Sequence, residues 1–380
     1  MVESFLKLSF EKIDRLWSAQ ELKNGHNGPY RDEETDIRKI AHLMTLYSNI
    51  IKSKLDINNN EEYIEKLKNL KNILINNENY LGGAYFRCRI KPGKDEVNGV
   101  IGIAWVVEGL CATYEVLKDY EILEFLDKVV NSISFNKERL LWERPVYPLS
   151  IKSSIDETFN HQLWLAYALI YYSKIKGEDL SVNIKSFFSK LESNLNIHKD
   201  GLIVHSLKNK STIFEEVKSY LKSLKRITNS RIKGKTTRYK ENGYHLFNIY
   251  AFARIKALGY SKLLEKSVKV NKAILYASKE ELYNQLTSNN EKEDYYQIAT
   301  PSLLKYNRYG FPYNVSGFEY FYFNDVFKLK NDELTQKYLK RQLEVYGYDL
   351  NSNIFINDKT QCEDDINLLL RVYELSFYFS

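Results

Sequence analysis

The sequence predicts an all-α chain, an (α/α)6 toroid or six-hairpin barrel, and three observations carry that prediction. Helical apolar periodicity recurs along most of the 380 residues with short loops between. Helices apolar on nearly every face, at 101–117, 157–174 and 244–258, alternate with amphipathic ones rich in Lys and Glu at 122–134, 180–195 and 263–276, as inner and outer helices of a ring would. Six polar clusters also run straight into apolar stretches, and a buried helix that begins on Asp, Asn, Gly or His must place that start at a cavity or a surface. The clusters centre on Asp32, Gly99, Glu157, His245, Gly317 and Asp364, each roughly one hairpin from the next, so six inner helices should converge on one mouth. An open helical solenoid remains the other architecture, since helix pairs also stack in arrays.

Composition sets the bounds. The 44% hydrophobic fraction with 30 Tyr and 19 Phe belongs to a globular chain with large buried aromatic contacts. Six Pro and 16 Gly leave little turn punctuation, which suits long helices. One toroid domain over 1–380 is expected. With 55 basic against 49 acidic residues the net charge of +6 is not the footprint of a nucleic-acid binder, and no nucleic-acid partner is expected. Cys88, Cys111 and Cys362 are scattered and odd in number, which favours a reducing compartment over a disulfide framework or a CxxC metal site. Residues 1–10 lack the continuous apolar core of a signal peptide, and no charge-free run reaches about 18 residues, so a cytoplasmic protein is expected.

In order along the chain, helical spacing predicts elements at 5–20, 36–54, 60–75, 101–117, 122–134, 157–174, 180–195, 214–224, 244–258, 263–276, 318–329, 333–346 and 363–378. The segments 80–93 and 139–155 read as loops or short strands, and long loops on a helical ring line its mouth. The run 218–240 holds nine Lys or Arg and no acid. It reads either as a solvated basic helix and loop or as a contact for phosphate, an acidic glycan or a membrane surface.

The sharpest site candidate is Asp156-Glu157-Thr158-Phe159-Asn160-His161-Gln162-Leu163-Trp164. On a helix Glu157 and His161 stand four apart and share a face, as do Asp156 and Asn160, with Trp164 one turn past His161. A carboxylate against an imidazole fixes its tautomer, as a general acid or base requires, whereas a helix cap followed by a core histidine is the structural alternative. In Asn98-Gly99-Val100-Ile101-Gly102-Ile103-Ala104-Trp105, the glycines permit close backbone approach and Trp105 can stack on a sugar ring or fill the core. The order matches neither GxxxxGK nor GxGxxG, so this is no phosphate loop.

Tyr244, His245 and Asn248 gather on one helix start, where Tyr and His donate to sugar oxygens or move protons. Near the N-terminus Asp32 and its acidic neighbours suit a helix start, while Arg38 would take a substrate carboxylate bidentately. Gly317-Phe318-Glu319 delivers a further carboxylate to a helix start. Asp349-Leu350-Asn351-Ser352-Asn353 lacks the glycine and closing Glu of a calcium loop, and the six His show no HExxH. No metal and no cofactor are expected.

The motifs Asn98-Gly99-Val100-Ile101-Gly102-x-Ala104-Trp105, Phe159-Asn160-His161-Gln162-Leu163-Trp164 and Tyr244-His245-x-Phe247-Asn248-x-Tyr250-Ala251-Phe252 resemble sugar-processing proteins encoded in archaeal N-glycosylation and bacterial surface-polysaccharide clusters. More distantly the layout is similar to six-hairpin α/α-toroid carbohydrate enzymes, which include unsaturated glucuronyl hydrolases, polysaccharide lyases and uronic-acid C5-epimerases. The resemblance implies a glycan substrate, with a lipid-linked glycan or the membrane surface as a peripheral contact. It assigns no catalytic residue. Lanthipeptide cyclase toroids do not fit, because Cys362 has no Cys-His partner for their zinc.

The expected chemistry is acid/base work at a glycosidic or C5 centre of a uronic-acid-containing glycan. Asp156 or Glu157 pairs with His161, Tyr244 or His245 donates a proton, and Glu319 is a second carboxylate. Asp32, Arg38, Asn98, Trp105, Asn160, Trp164 and Asn248 bind substrate. The rival class is a non-catalytic glycan- or protein-binding helical array, with aromatics on a concave face and no carboxylate within proton-transfer reach.

Overall fold

A computed structural model describes residues 1–26, 32–53, 55, 60–147, 153–207, 230–288, 306–311, 313–356 and 365–380, with side chains except at 230–236, 365 and 367. Its helices are α1 (Val2–Ser18), α2 (Ile37–Lys52), α3 (Asn60–Ile75), α4 (Ile101–Leu117), α5 (Tyr120–Asn131), α6 (Phe159–Lys176), α7 (Val182–Ser189), α8 (Leu191–Asn194), α9 (Ser230–Ala257), α10 (Lys262–Glu265), α11 (Val268–Ala277), α12 (Glu280–Thr287), α13 (Ser316–Phe327), α14 (Asp332–Val345), α15 (Asp365–Leu370) and α16 (Val372–Ser376).

Six of these positions form a closed inner ring. α2 packs on α4, α4 on α6, α6 on α9, α9 on α13, α13 on α16, and α16 back on α2. Outside them, α3 and α5 lean on α4, α7 on α6, α11 and α12 on α9, α14 on α13 and α1 on α15 and α16. The fold is an α/α toroid, and the closed order excludes an open solenoid. The inner helices are buried on all sides: every residue of α6 from Leu163 to Ser173 is buried. Outer helices such as α5 bury one stripe only, Ile122, Phe125, Leu126 and Val129.

Close packing explains two glycines of the inner ring. A Cβ at Gly109 would meet the Ala41 carbonyl oxygen at 2.7 Å, so α4 lies against the α2 backbone. At Gly99, φ is +61° and a Cβ would lie 1.9 Å from Asp156 Oδ2.

Three two-stranded hairpins join outer helices to the next inner one: β1 (Tyr80–Gly82) with β2 (Tyr85–Phe86), β3 (Phe135–Asn136) with β4 (Leu141–Trp142), and β5 (Tyr348–Asp349) with β6 (Ile354–Phe355). Of the segments read as loops or short strands, 80–93 holds the first strand pair and 139–155 holds β4 of the second, whose partner β3 lies just before it; the third hairpin was not anticipated. In the third hairpin Asp349 accepts from the backbone N–H of Asn351 and Ser352, both at 3.2 Å, which is a turn closed on itself.

Several boundaries differ from expectation. α9 begins at Ser230 and not near Tyr244, because Gly243 is a packing glycine whose Cβ would meet that of Tyr309 at 2.3 Å, not a helix start. The stretch 363–378 divides at Arg371, and α12 was not anticipated. The helix expected at 214–224 and the cluster around Asp364 lie outside the described residues, as does most of the basic run 218–240.

Deeper in the ring a polar network joins four inner helices. Tyr167 donates to Glu108 at 2.8 Å and accepts from Arg254 at 2.8 Å, and Arg254 also donates to Tyr322 at 3.1 Å. Glu108 and Arg254 stand ten positions beyond Asn98 and Tyr244 respectively, so at 1.5 Å per residue this layer lies about 10–15 Å from those two residues along the helices. Burial pushes the Glu108 carboxyl up to about 7 against the pull of Arg254 and Tyr167.

Candidate active site

The starts of α2, α4, α6, α13 and α16 and the middle of α9 converge on a cleft with room for about 280 Å³ of solvent, and each inner position contributes to its wall. Asp32 and Arg38 come from the start of α2, Asn98 and Trp105 from α4, Asn160 and His161 from α6, Lys240 and Tyr244 from α9. Asn314 precedes α13, and Arg371 sits at the break between α15 and α16. Convergence is therefore seen in the five described clusters, four of them at helix starts and the fifth, around Tyr244, within α9, though not always through the central residue of each. Gly317 instead faces α14, where a Cβ would meet that of Gln342 at 2.4 Å.

His161 is the titratable group with the clearest orientation. Its Nδ1 lies 2.7 Å from Asp156 Oδ2. Asp156 is buried and accepts two further hydrogen bonds, from the N–H of Val100 at 2.9 Å and of Thr158 at 3.0 Å. Burial works against its charge, but the imidazole and these donors outweigh burial and hold the carboxyl well below the ordinary range. An ionised Asp156 fixes the proton on Nδ1, which leaves Nε2 to act toward the cleft.

Glu157 does not make the pairing expected of it. The helix begins at Phe159, with Thr158 as its cap, so a four-residue helical spacing does not apply to a residue before the cap. Glu157 turns outward to Arg139 at 2.9 Å, and its side chain is 46% exposed. The adjacent acid, Asp156, takes its place.

Four other expected site residues are drawn away from the cleft. His245 is one position, about 100° of helix, past Tyr244. It is fully buried, accepts from the Ile203 N–H at 3.2 Å and lies 3.1 Å from the Ala273 carbonyl, so it is a core histidine. Trp164 and Asn248 each lie one turn below cleft residues. Trp164 stacks on Phe247 with centroids 4.7 Å apart, and Asn248 donates to the Tyr244 carbonyl at 2.8 Å. Glu319 is buried beneath Arg371 at 3.2 Å. Burial and the neighbouring Glu374 push its carboxyl well up despite Arg371, and it lies outside the residues that line the cleft.

Arg38 lines the cleft, with its guanidinium carbon 4.6 Å from the Trp105 ring centroid, and it also pairs with Glu34 at 3.1 Å. Asp32 is matched by Lys91 at 2.6 Å and Arg89 at 3.6 Å. Arg371 donates to Asn314 and to the Tyr313 carbonyl, both at 3.0 Å, and to Glu374. Below them His42 is enclosed between the rings of Trp105 and Tyr373, and burial together with Arg38 and Arg371 keeps it neutral.

Sequence reasoning missed His205, Arg89, Lys94 and Arg371, and named Lys240 only as the end of the basic run 218–240, one reading of which was a contact for phosphate or an acidic glycan. His205 lies on the extended segment 202–207, which has no helix-start signature, and its ring packs on Tyr244 at 5.0 Å. Burial, Lys240 and His161 push it down to about 3, and Lys240 Nζ stands 3.2 Å from its Nε2. Arg371 carried a readable signal: one guanidinium inside Leu368-Leu369-Leu370-Arg371-Val372-Tyr373.

No family model matches the chain. It is 25% identical over 356 residues to Archaeal glycosylation protein Q of Haloferax volcanii, which spans 91% of this chain and 88% of that protein. Among solved structures it is similar to a cellobiose 2-epimerase from Bacillus thermoamylovorans, with TM-score 0.58 and 13% identity over 97% of this chain and 99% of that one. A sugar epimerase from a ruminal bacterium gives 0.54 at 12% identity, covering 93% and 92%. A GH76 α-mannanase from Bacteroides thetaiotaomicron gives 0.51 at 12%, covering 99% and 95%. These likenesses agree with the closed ring of six hairpins.

Proposed function

We propose that the protein is a carbohydrate-processing enzyme that transfers a proton at the carbon next to the carboxylate of a uronic sugar, as a hexuronate epimerase or lyase does. The observation that carries this reading is the Asp156–His161 pair at a cleft lined by Trp105 and Arg38. His161 Nε2 takes the C5 proton, Asp156 stabilises the imidazolium, and Tyr244 on the neighbouring inner helix gives a proton back. Arg38 holds the carboxylate and stabilises the negative charge that builds on it as the proton leaves. Trp105 offers its face to the sugar ring.

Glycosidic hydrolysis fits less well. It calls for two carboxyl groups flanking the bond, and among the described residues Asp32 is the one acid that lines the cleft, already matched by Lys91 and Arg89. The names of the glycosylation-protein relative and of the epimerase neighbours support a sugar substrate. The non-catalytic alternative gives no reason to bury an ionised carboxylate behind an imidazole.

The test compares binding and turnover of uronate-terminated disaccharides with their hexose counterparts. The uronates should bind at least tenfold tighter, and Arg38→Lys should remove most of that preference because the planar fork is lost. Equal affinity for the neutral sugars would overturn the uronate reading.

A further inference from the structure

The cleft carries more positive charge at its rim than one carboxylate requires. Arg38 and Arg371 have partner acids beneath them, but Lys94 is exposed, lines the cleft and has no ion-pair partner among the described residues. Backbone bonds from the N–H of Cys88 and Arg89 to the Glu96 carbonyl, at 2.8 and 2.9 Å, fold loop 88–96 back so that Arg89 and Lys94 flank the same opening. The Arg89 side chain is 11% exposed, and its Nε is buried without a hydrogen-bond partner among the described residues. Lys240 faces them from α9. Its ammonium is pushed down to about 8 by burial and by the charge of Lys94, against the pull of Glu241. Two ammonium groups lining one opening, with a buried guanidinium donor beside them, are an arrangement that favours an anion.

We infer that Lys94, Lys240 and Arg89 form a second anion site at the rim of the cleft, which takes a phosphoryl group esterified to the sugar. The substrate would then carry two anionic groups, a carboxylate at depth and a phosphate at the mouth. This rests on the cleft being the glycan site, not on the reaction run there. The groups facing Lys240 are Glu241 and Tyr244 on its own helix, His205 on segment 202–207 with His161 and Asp156 behind it, and Lys94 on loop 88–96. An anion favours the charged amine, so affinity should fall as pH rises through about 8.

Binding to the full-length protein by calorimetry tests this. Inorganic phosphate, glucuronic acid 1-phosphate, UDP-glucuronic acid and free glucuronate are titrated into wild type and the Lys94→Gln, Lys240→Gln double variant, whose fold is checked by circular dichroism. Sulfate, whose charge does not change over the range, serves for the pH series. The site predicts at least a tenfold loss of phosphate and sulfate affinity in the double variant, with free glucuronate within about twofold of wild type. It also predicts sulfate binding that weakens from pH 7 to 9 in wild type only. Tighter binding of the monoester than of the nucleotide sugar identifies a sugar 1-phosphate, and the reverse order a diphosphate-linked sugar. Unchanged phosphate affinity in the double variant, or sulfate binding flat across pH 8, overturns the site. If phosphate behaves as expected while glucuronate fails to bind, the carboxylate reading falls and the phosphoryl site stands.

Discussion

At the scale of single residues, the account turns on which acid serves His161. Replacing His161 by Ala removes the proposed base from a partly exposed position, so turnover should drop by roughly 10² or more while the melting temperature moves little. Glu157→Gln should leave turnover within about twofold, since that side chain is paired to Arg139 outside the cleft. Steady-state kinetics on the two variants separates these roles, and the opposite ranking would restore Glu157. Both candidate acids were legible from sequence as neighbours of an imidazole. The choice between them was not, because it depends on the helix starting at Phe159.

His245 was legible only as a polar residue at a helix start, and its burial makes a separate prediction. Burial pushes its imidazole from 6.5 down to about 4, against the Ala273 carbonyl bond and Asp200. Between those values the unfolded chain binds a proton that the folded chain refuses. The contribution to stability is therefore full above pH 6.5 and is lost as pH falls toward 4, by about 1.4 kcal/mol per unit. Urea unfolding at pH 7 and 5 should show this loss in wild type and a shallower slope in His245→Gln.

At the scale of elements, the six-hairpin order was readable because all-round apolar helices and one-sided helices alternate, and burial follows that pattern. The helix ends were less readable, since tertiary contacts set them. Gly243 looked like a helix start and is a contact with Tyr309, and Arg371 divides what the periodicity presented as one helix. The Gly109 contact tests how tightly the inner ring is packed. A methyl group there would press on the Ala41 carbonyl and part α2 from α4, so Gly109→Ala should cost about 1–3 kcal/mol in chemical denaturation. A neutral or stabilising result would mean that the two helices do not pack that closely.

At the scale of the whole molecule, closure of the ring brings residues from distant parts of the chain to one opening. No local pattern could announce that Arg89, Lys94, Lys240 and Arg371 would meet, because their juxtaposition exists only once the last inner helix packs on the first. The same closure places a buried, ionised carboxylate behind an imidazole at the mouth of an aromatic and cationic cleft, and this arrangement is the centre of the account. Its most direct test is proton exchange: a hexuronate or uronate-terminated glycan incubated with the protein in D2O and followed by NMR. The account predicts enzyme-dependent loss of the H5 signal, by deuteration or by elimination, and its disappearance in His161→Ala. Release of a free sugar with H5 fully retained would contradict it.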